Sequence, residues 1–250
     1  MRPALQTRGL EKRFGAIVAT KGVSLDIAAG ARHALIGPNG AGKTTLVNLL
    51  TGFLAPSAGT VLLDGTDVTR TAQHERVRRG LARTFQINRL FAELTVLESV
   101  ALAVCEERGL GARWWRPVGA HGEVVDRAAE LLEQLRLLDD AHRVTRDLAY
   151  GRQRLIEIAL ALAARPRVLL LDEPAAGVPA GASRELFETI AALSREVTIV
   201  LIEHDMDLVF RFAERITVLV GGAVLTEDVP QAIAADARVR EVYLGDARHG

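Results

Sequence analysis

The chain has 250 residues, and its 31 Lys and Arg balance 31 Asp and Glu, so it carries no formal net charge. At about 150 residues per domain, that length gives one or two domains that bury about 70–75% of the unfolded chain's surface. A hydrophobic fraction of 49% with 25% charged residues excludes intrinsic disorder, and the neutral balance argues against a nucleic-acid partner, which requires concentrated positive charge.

The single cysteine, Cys105, excludes an internal disulfide and a cysteine metal cage, and reads as a small buried apolar residue. Met1-Arg2-Pro3 leads into mixed polar residues and not into the apolar run of a secretory signal. Thr44 to Leu63 is uncharged over a length that would cross a bilayer, but Asn48, Gly52, Pro56, Ser57 and Gly59 interrupt it as a loop would. The expectation is a soluble chain in a reducing, cytoplasmic setting.

The first third reads as short strands and turns. Val23–Ile27 alternates, Ala28-Ala29-Gly30 turns, and Ala31–Ile36 leads as a strand into Gly37. Leu46, Val47, Leu49 and Leu50 predict a helix after Gly42, and Thr60–Leu63 a strand closed by an Asp64-Gly65 turn. Between Glu123 and Asp140, Val125, Ala128, Leu132 and Leu135 share one helical face; a second helix is expected over Arg152–Ala164, ended by Arg165-Pro166. Val168–Leu171 is wholly apolar, as a parallel strand covered on both faces is, and Val197–Ile202 reads as a second buried strand. Helices are expected over Ser183–Arg195 and Met206–Phe212, and a hairpin over Ile216–Val220 and Ala223–Glu227. The alternation of strand and helix predicts an α/β fold.

Gly37-Pro38-Asn39-Gly40-Ala41-Gly42-Lys43-Thr44 fits G-x-x-x-x-G-K-[ST] between a strand and a helix, the context that distinguishes a phosphate loop from an incidental glycine-rich turn. Its backbone N–H groups and the helix N-terminus would cradle phosphate oxygens, Lys43 would reach the β- and γ-phosphates, and the Thr44 hydroxyl would hold Mg²⁺. Asp172 and Glu173 close a buried strand, where ligands gather in parallel sheets. Asp172 would hold the Mg²⁺ through its water shell and Glu173 would orient the attacking water; taken alone, the pair also fits a helix cap or a loop. His204, after the next strand, would donate to the γ-phosphate, although a lone histidine is more often structural. Gln86 would complete the metal shell.

In this order the motifs resemble the ATP-binding subunits of ABC transporters, from about Leu5 to Gly245. The resemblance implies a P-loop NTPase (RecA-like) core with an antiparallel β-subdomain, a helical subdomain at about 87–150, and a tail at about 228–250. It makes Gly37–Thr44, with the adjoining Thr45, the Walker A loop, Gln86 the Q-loop glutamine, Asp172 and Glu173 the Walker B pair, and His204 the switch histidine. Phe14 matches the aromatic that stacks on adenine, the alternative being a core phenylalanine. Ala149, Tyr150, Gly151 and Arg152 fall on the signature that contacts nucleotide.

Leu148-Ala149-Tyr150-Gly151 in place of Leu-Ser-Gly-Gly is similar to the branched-chain amino acid importer group. So are Arg83-Thr84-Phe85-Gln86, Leu94-Thr95-Val96-Leu97-Glu98, Asp172-Glu173-Pro174-Ala175-Ala176-Gly177 and Tyr243-Leu244-Gly245. The resemblance implies ATP and Mg²⁺ as cofactors, a second ATP-binding subunit, transmembrane permease subunits, indirectly a solute-binding protein, and a peripheral place on the inner face of the cell membrane. An importer of urea or short amides would use the same engine. A soluble ABC ATPase of DNA repair or translation would carry two cassettes or a long coiled-coil insertion, which this chain has no room for.

The chain departs from the pattern at Ala149, at Arg152 where glutamine is usual, at Val178-Pro179 where an aspartate is expected, and at Leu160 where arginine is common. Leu90, Phe91, Leu94, Val96 and Leu97 fit equally a permease-facing patch and the core of a helical subdomain. Trp114-Trp115 lies in an expected loop, either tucked onto the body or placed at a membrane interface. His33, His74, His121, His142 and His249 show no metal-ligand spacing.

Overall fold

The computed structural model describes residues 2–84, 91–110 and 122–246; Gln86, Leu90, Trp114, Trp115, His121 and His249 lie outside the described residues. The chain divides into two compact units, one of residues 1–83, 167–173 and 195–250, the other of residues 84–166 and 174–194. The second unit therefore takes in more chain than the expected helical segment of about 87–150.

In the first unit, strands β1 (Pro3–Phe14), β2 (Ile17–Ala28), β4 (Ala58–Leu63) and β5 (Thr66–Asp67) form an antiparallel sheet in the order β2-β1-β4-β5. A six-stranded sheet joins β3 (Arg32–Ile36), β6 (Leu81–Arg83), β7 (Val168–Asp172), β8 (Thr198–Ile202), β9 (Arg215–Val220) and β10 (Ala223–Asp228). Its order is β10-β9-β3-β8-β7-β6, parallel throughout except for the β9–β10 hairpin. Every residue of β3, β7 and β8 is buried, which is why Val168–Leu171 and Ile199–Ile202 read as apolar runs, while Arg32 and His33 on β3 are buried polar residues.

Helix α1 (Lys43–Thr51) inserts Leu46, Val47, Leu49 and Leu50 into one core with Leu10 and Leu25 of the antiparallel sheet and Leu170 and Val200 of the parallel sheet. Each such leucine contributes about 1.5–3 kcal/mol by leaving water. Helices α2 (Gln73–Arg78), α7 (Met206–Phe212), α8 (Pro230–Ala235) and α9 (Ala237–Asp246) complete the unit. Asp205 fixes the start of α7, its carboxylate accepting from the Asp207 and Leu208 N–H groups.

The second unit contains α3 (Val96–Glu107), α4 (Gly122–Gln134), α5 (Tyr150–Ala163) and α6 (Ala180–Ala191). A capping box between Thr95 and Glu98 starts α3. Val96, Val100, Val104 and Cys105 are buried on this helix, whereas Phe91 is exposed, so the apolar residues Phe91 and Val96 divide between surface and core. Among the described residues no helix is long and apolar enough to cross a membrane; Thr44 to Leu63 is α1, a loop and β4.

Three elements differ from the sequence expectation. Helix α4 stops at Gln134 and not at Asp140, because Arg136 turns left-handed (φ 55°) and the Leu137 N–H reaches back to the Leu132 carbonyl. Helix α6 spans 180–191, earlier at both ends than 183–195; Ser183 sits in its first turn, its hydroxyl donating to the Val178 and Pro179 carbonyls. Strand β1 runs for 12 residues that periodicity alone did not reveal, since register shifts against β2 break its alternation.

His33 on β3 is buried, and its Nε2 lies 2.7 Å from Thr217 Oγ1. Thr217 donates its one proton to Glu227 Oε2 at 2.8 Å, so His33 Nε2–H is the donor in this pair. Burial lowers the His33 pKa to about 4 from 6.5, Glu227 opposing the shift and Arg215 adding to it. The unfolded chain then takes up a proton below pH 6.5 that the native chain refuses until about pH 4, so stability falls as the pH drops through that window. Lowering the pH from 7 to 5 is expected to cost about 2 kcal/mol through this group. Urea unfolding of the parent and of His33→Gln measures it: the variant should lack that part of the slope, and equal slopes would refute the assignment.

Candidate functional site

Five parallel strands run in one direction, so the loops that follow them gather on one rim. Register makes this specific. Leu35 on β3 is opposite Ile202 on β8, and Ile202 is opposite Asp172 on β7. That row places the glycine loop beginning at Gly37, the Asp172–Glu173 pair, and Glu203–His204 side by side at the sheet's edge.

Between β3 and α1 the chain makes a turn that only glycine permits at two points. A Cβ on Gly37 (φ 155°) would sit 2.2 Å from the Leu219 carbonyl oxygen, and one on Gly42 (φ 97°) 2.6 Å from that of Ala19. The Ala41 N–H bonds the Pro38 carbonyl, and the Gly222 N–H bonds the Ala41 carbonyl. Pro38, Asn39 and Gly40 form the loop's bend. Lys43 arches over it, Nζ donating to the carbonyls of Gly37 (2.5 Å) and Pro38 (3.0 Å).

Helix α1 has no side-chain cap at Gly42 and no acidic residue in its first turn. Lys43, Thr44 and Thr45 form that turn, at the positive end of the helix dipole. A glycine-bearing loop, an uncapped helix N-terminus and one ammonium have the chemistry to bind a polyphosphate.

Asp172 ends β7 nearly buried, its Oδ2 accepting from Arg83 Nη2 at 2.5 Å. The same guanidinium donates through Nη1 to Asn48 Oδ1 at 2.7 Å. Asn48 lies one helical turn beyond Thr44, so Arg83 links the carboxylate to the helix that carries the hydroxyl. Sequence reasoning did not single out Arg83 or Asn48 for this role; the i,i+4 spacing of Thr44 and Asn48 was the available signal. A buried carboxylate and a hydroxyl are hard oxygen donors, suited to a small divalent cation that phosphate oxygens also hold. Among the described residues no group of three or more His, Cys, Asp and Glu could hold a metal unaided.

Glu173 adopts a left-handed backbone (φ 48°), and its N–H bonds the Ile202 carbonyl. A non-glycine residue in that region is strained by roughly 1–2 kcal/mol, held here by the neighbouring strand. His204 projects into solvent, 66% exposed, with its own N–H on the buried Glu203 carboxylate and Nδ1 3.9 Å from Glu203 Oε2. Phe14 ends β1, 47% exposed with Lys12 Nζ 5.2 Å from its ring centre, so it is not a core phenylalanine.

In the second unit, Ala149 is the N-cap of α5 without a side-chain cap, and Tyr150, Gly151 and Arg152 form its first turn. Gly151 packs close to α6; a Cβ there would be 3.4 Å from Val178 Cγ1 and from Ala182 Cβ. The Tyr150 hydroxyl accepts from Arg154 Nη2 at 2.7 Å, and the Arg152 guanidinium engages Asp140.

A family profile described as ABC transporter matches residues 20–176. The chain is 41% identical over 255 residues to the high-affinity branched-chain amino acid transport ATP-binding protein BraF of Pseudomonas aeruginosa, covering 98% of this chain and 99% of that one. It also resembles the crystal structure of the ADP conformation of MJ1267, an ATP-binding cassette of an ABC transporter, at TM-score 0.87 and 32% identity over 98% of this chain and 100% of that one. A dimeric cassette, MJ0796 bound to ADP and Pi after hydrolysis, matches at TM-score 0.73 and 27% identity, over 90% and 98% of the respective chains.

Proposed function

Because the chain belongs to the ABC transporter family of ATP-binding cassettes, we propose that it is the ATPase subunit energising a membrane permease for uptake of branched-chain amino acids. The observation that carries the ATPase reading is the row Leu35–Ile202–Asp172, which lines up a phosphate loop, an acid pair and a histidine on one rim. The solute follows from a relative matched over nearly the full length of both chains.

In this reading backbone N–H groups of the loop Gly37–Gly42 and of Lys43, Thr44 and Thr45 bind the phosphates, with Pro38, Asn39, Gly40 and Ala41 shaping the cradle, and Lys43 neutralises the β- and γ-phosphates. Mg²⁺, when bound, neutralises charge developing on the phosphates; Thr44, Gln86 and Asp172 would hold it, directly or through water. Arg83 occupies one carboxylate oxygen of Asp172 and leaves the other for that shell. Glu173 accepts a hydrogen bond from the attacking water and aligns it, and His204 donates to the γ-phosphate. Phe14 stacks on adenine, which contributes about 1–3 kcal/mol by comparison with base–aromatic stacking.

The phosphate loop and the signature Ala149–Arg152 belong to different units. A second copy, or a related subunit, facing the first head to tail would supply the signature turn to each bound ATP, so that ATP joins the pair and its hydrolysis releases it. The subunit would then sit peripherally on the inner face of the membrane against its permease, with a solute-binding protein serving the opposite face.

Uptake of labelled leucine and labelled urea by the native cells, parent against Glu173→Gln, tests this function. Loss of leucine uptake with urea uptake intact is expected. Loss of urea uptake alone would refute the solute assignment and leave the ATPase reading standing.

A further inference from the structure

Arg152 stands in the signature turn, yet its guanidinium is turned into its own unit. Nε and Nη2 both donate to Asp140 Oδ2, at 2.8 and 2.5 Å, and Nη2 also donates to the Arg136 carbonyl at 2.7 Å. The remaining nitrogen, Nη1, lies 3.7 Å from Glu185 Oε1. Every edge of the fork therefore faces a protein oxygen. Asp140 is held in turn by Arg143, whose Nη1 donates to Oδ1 at 3.0 Å, and its carboxylate is nearly buried.

What Arg152 grips is a strained corner. Helix α4 ends in a Schellman turn: the Leu137 N–H bonds the Leu132 carbonyl and the Arg136 N–H bonds the Glu133 carbonyl. The left-handed residue is Arg136 (φ 55°) where glycine is usual, so the corner depends on its surroundings. Meanwhile α5 begins with no acidic residue in its first turn and a cation at Arg152, an arrangement its own dipole disfavours. Asp140 supplies the missing negative charge, so one carboxylate steadies both the end of α4 and the start of α5.

We propose that Arg152 is a positioning residue that locks the signature turn to Asp140 and the Arg136 carbonyl, and makes no contact with nucleotide. Recognition of the partner's ATP then falls to the backbone and helix N-terminus at 149–151. The inference rests on the reading of this segment as the one that meets the partner's ATP.

The test uses the full chain with Glu173→Gln, comparing Arg152→Gln, Asp140→Asn and the double variant. Neither single change strands a buried charge, because Asp140 keeps Arg143, and Arg152 keeps the Arg136 carbonyl and Glu185. Amide hydrogen exchange of the unpaired chain should quicken about ten-fold at both 136–140 and 150–154 in each single variant, and no further in the double. The protein concentration for half-maximal ATP-driven dimerisation should rise about ten-fold in each single variant and no more in the double. Arg152→Lys, which keeps the attraction to Asp140 but cannot also reach the Arg136 carbonyl, should fall between.

Weaker dimerisation in Arg152→Gln with Asp140→Asn unaffected would mean that Arg152 itself touches ATP, and overturns the proposal. So would unchanged exchange at 150–154 in Asp140→Asn, or dimerisation unchanged in both singles. Failure of the Glu173→Gln parent to dimerise would count against the composite-site reading instead, and the exchange measurement would still decide the role of Arg152.

Discussion

Glu173→Gln is expected to lower kcat for ATP hydrolysis by on the order of 10²–10⁴ while ATP still binds. Glutamine keeps the size of the side chain but cannot take a proton from the attacking water. The comparison is clean at the backbone, because glutamine bears the same left-handed strain as glutamate at φ 48° and leaves the N–H bond to the Ile202 carbonyl in place. The measurement is steady-state phosphate release beside equilibrium binding of ATP. A variant that hydrolyses within ten-fold of the parent would remove Glu173 from the mechanism.

Lys43→Ala is expected to act earlier, on binding. Lys43 is the cation of the loop, and a charge-assisted contact of this kind is worth about 1.5–3 kcal/mol, so ATP affinity should fall by on the order of 10²-fold. The change also removes the ammonium that ties the Gly37 and Pro38 carbonyls together, which loosens the cradle and adds to the loss. Titration with ATP by calorimetry reads this directly. Affinity unchanged by the substitution would refute the assignment of the loop. Lys43→Ala is thus expected to weaken ATP binding, whereas Glu173→Gln slows its turnover, and the two effects separate the cradle from the chemistry.

The cradle was legible because its determinants are local. Gly37 and Gly42 face carbonyls that exclude any Cβ, and Lys43 and Thr44 follow in the first turn of α1, so eight consecutive residues state the geometry. The sheet was legible where burial is complete, as in β7 and β8, and α7 because Asp205 caps it. Strand β1 was hidden by register shifts, which break the alternation that marks a half-buried strand. The end of α4 was hidden because Arg136 takes a conformation that sequence rules reserve for glycine. The links that organise the site lie furthest from sequence reasoning: Arg83 meets Asp172 across 89 residues and Arg152 meets Asp140 across 12, and no spacing rule joins either pair.

Phosphate loop and signature belong to different units of the chain, and the proposed composite site would enclose each ATP between two copies of this chain. Light scattering of purified Glu173→Gln with and without Mg-ATP reads this state. The expected result is a monomer that becomes a dimer when Mg-ATP is added and returns to monomer when ADP replaces it. A chain that stays monomeric at high protein concentration with saturating Mg-ATP would contradict the enclosure of ATP between two copies of this chain.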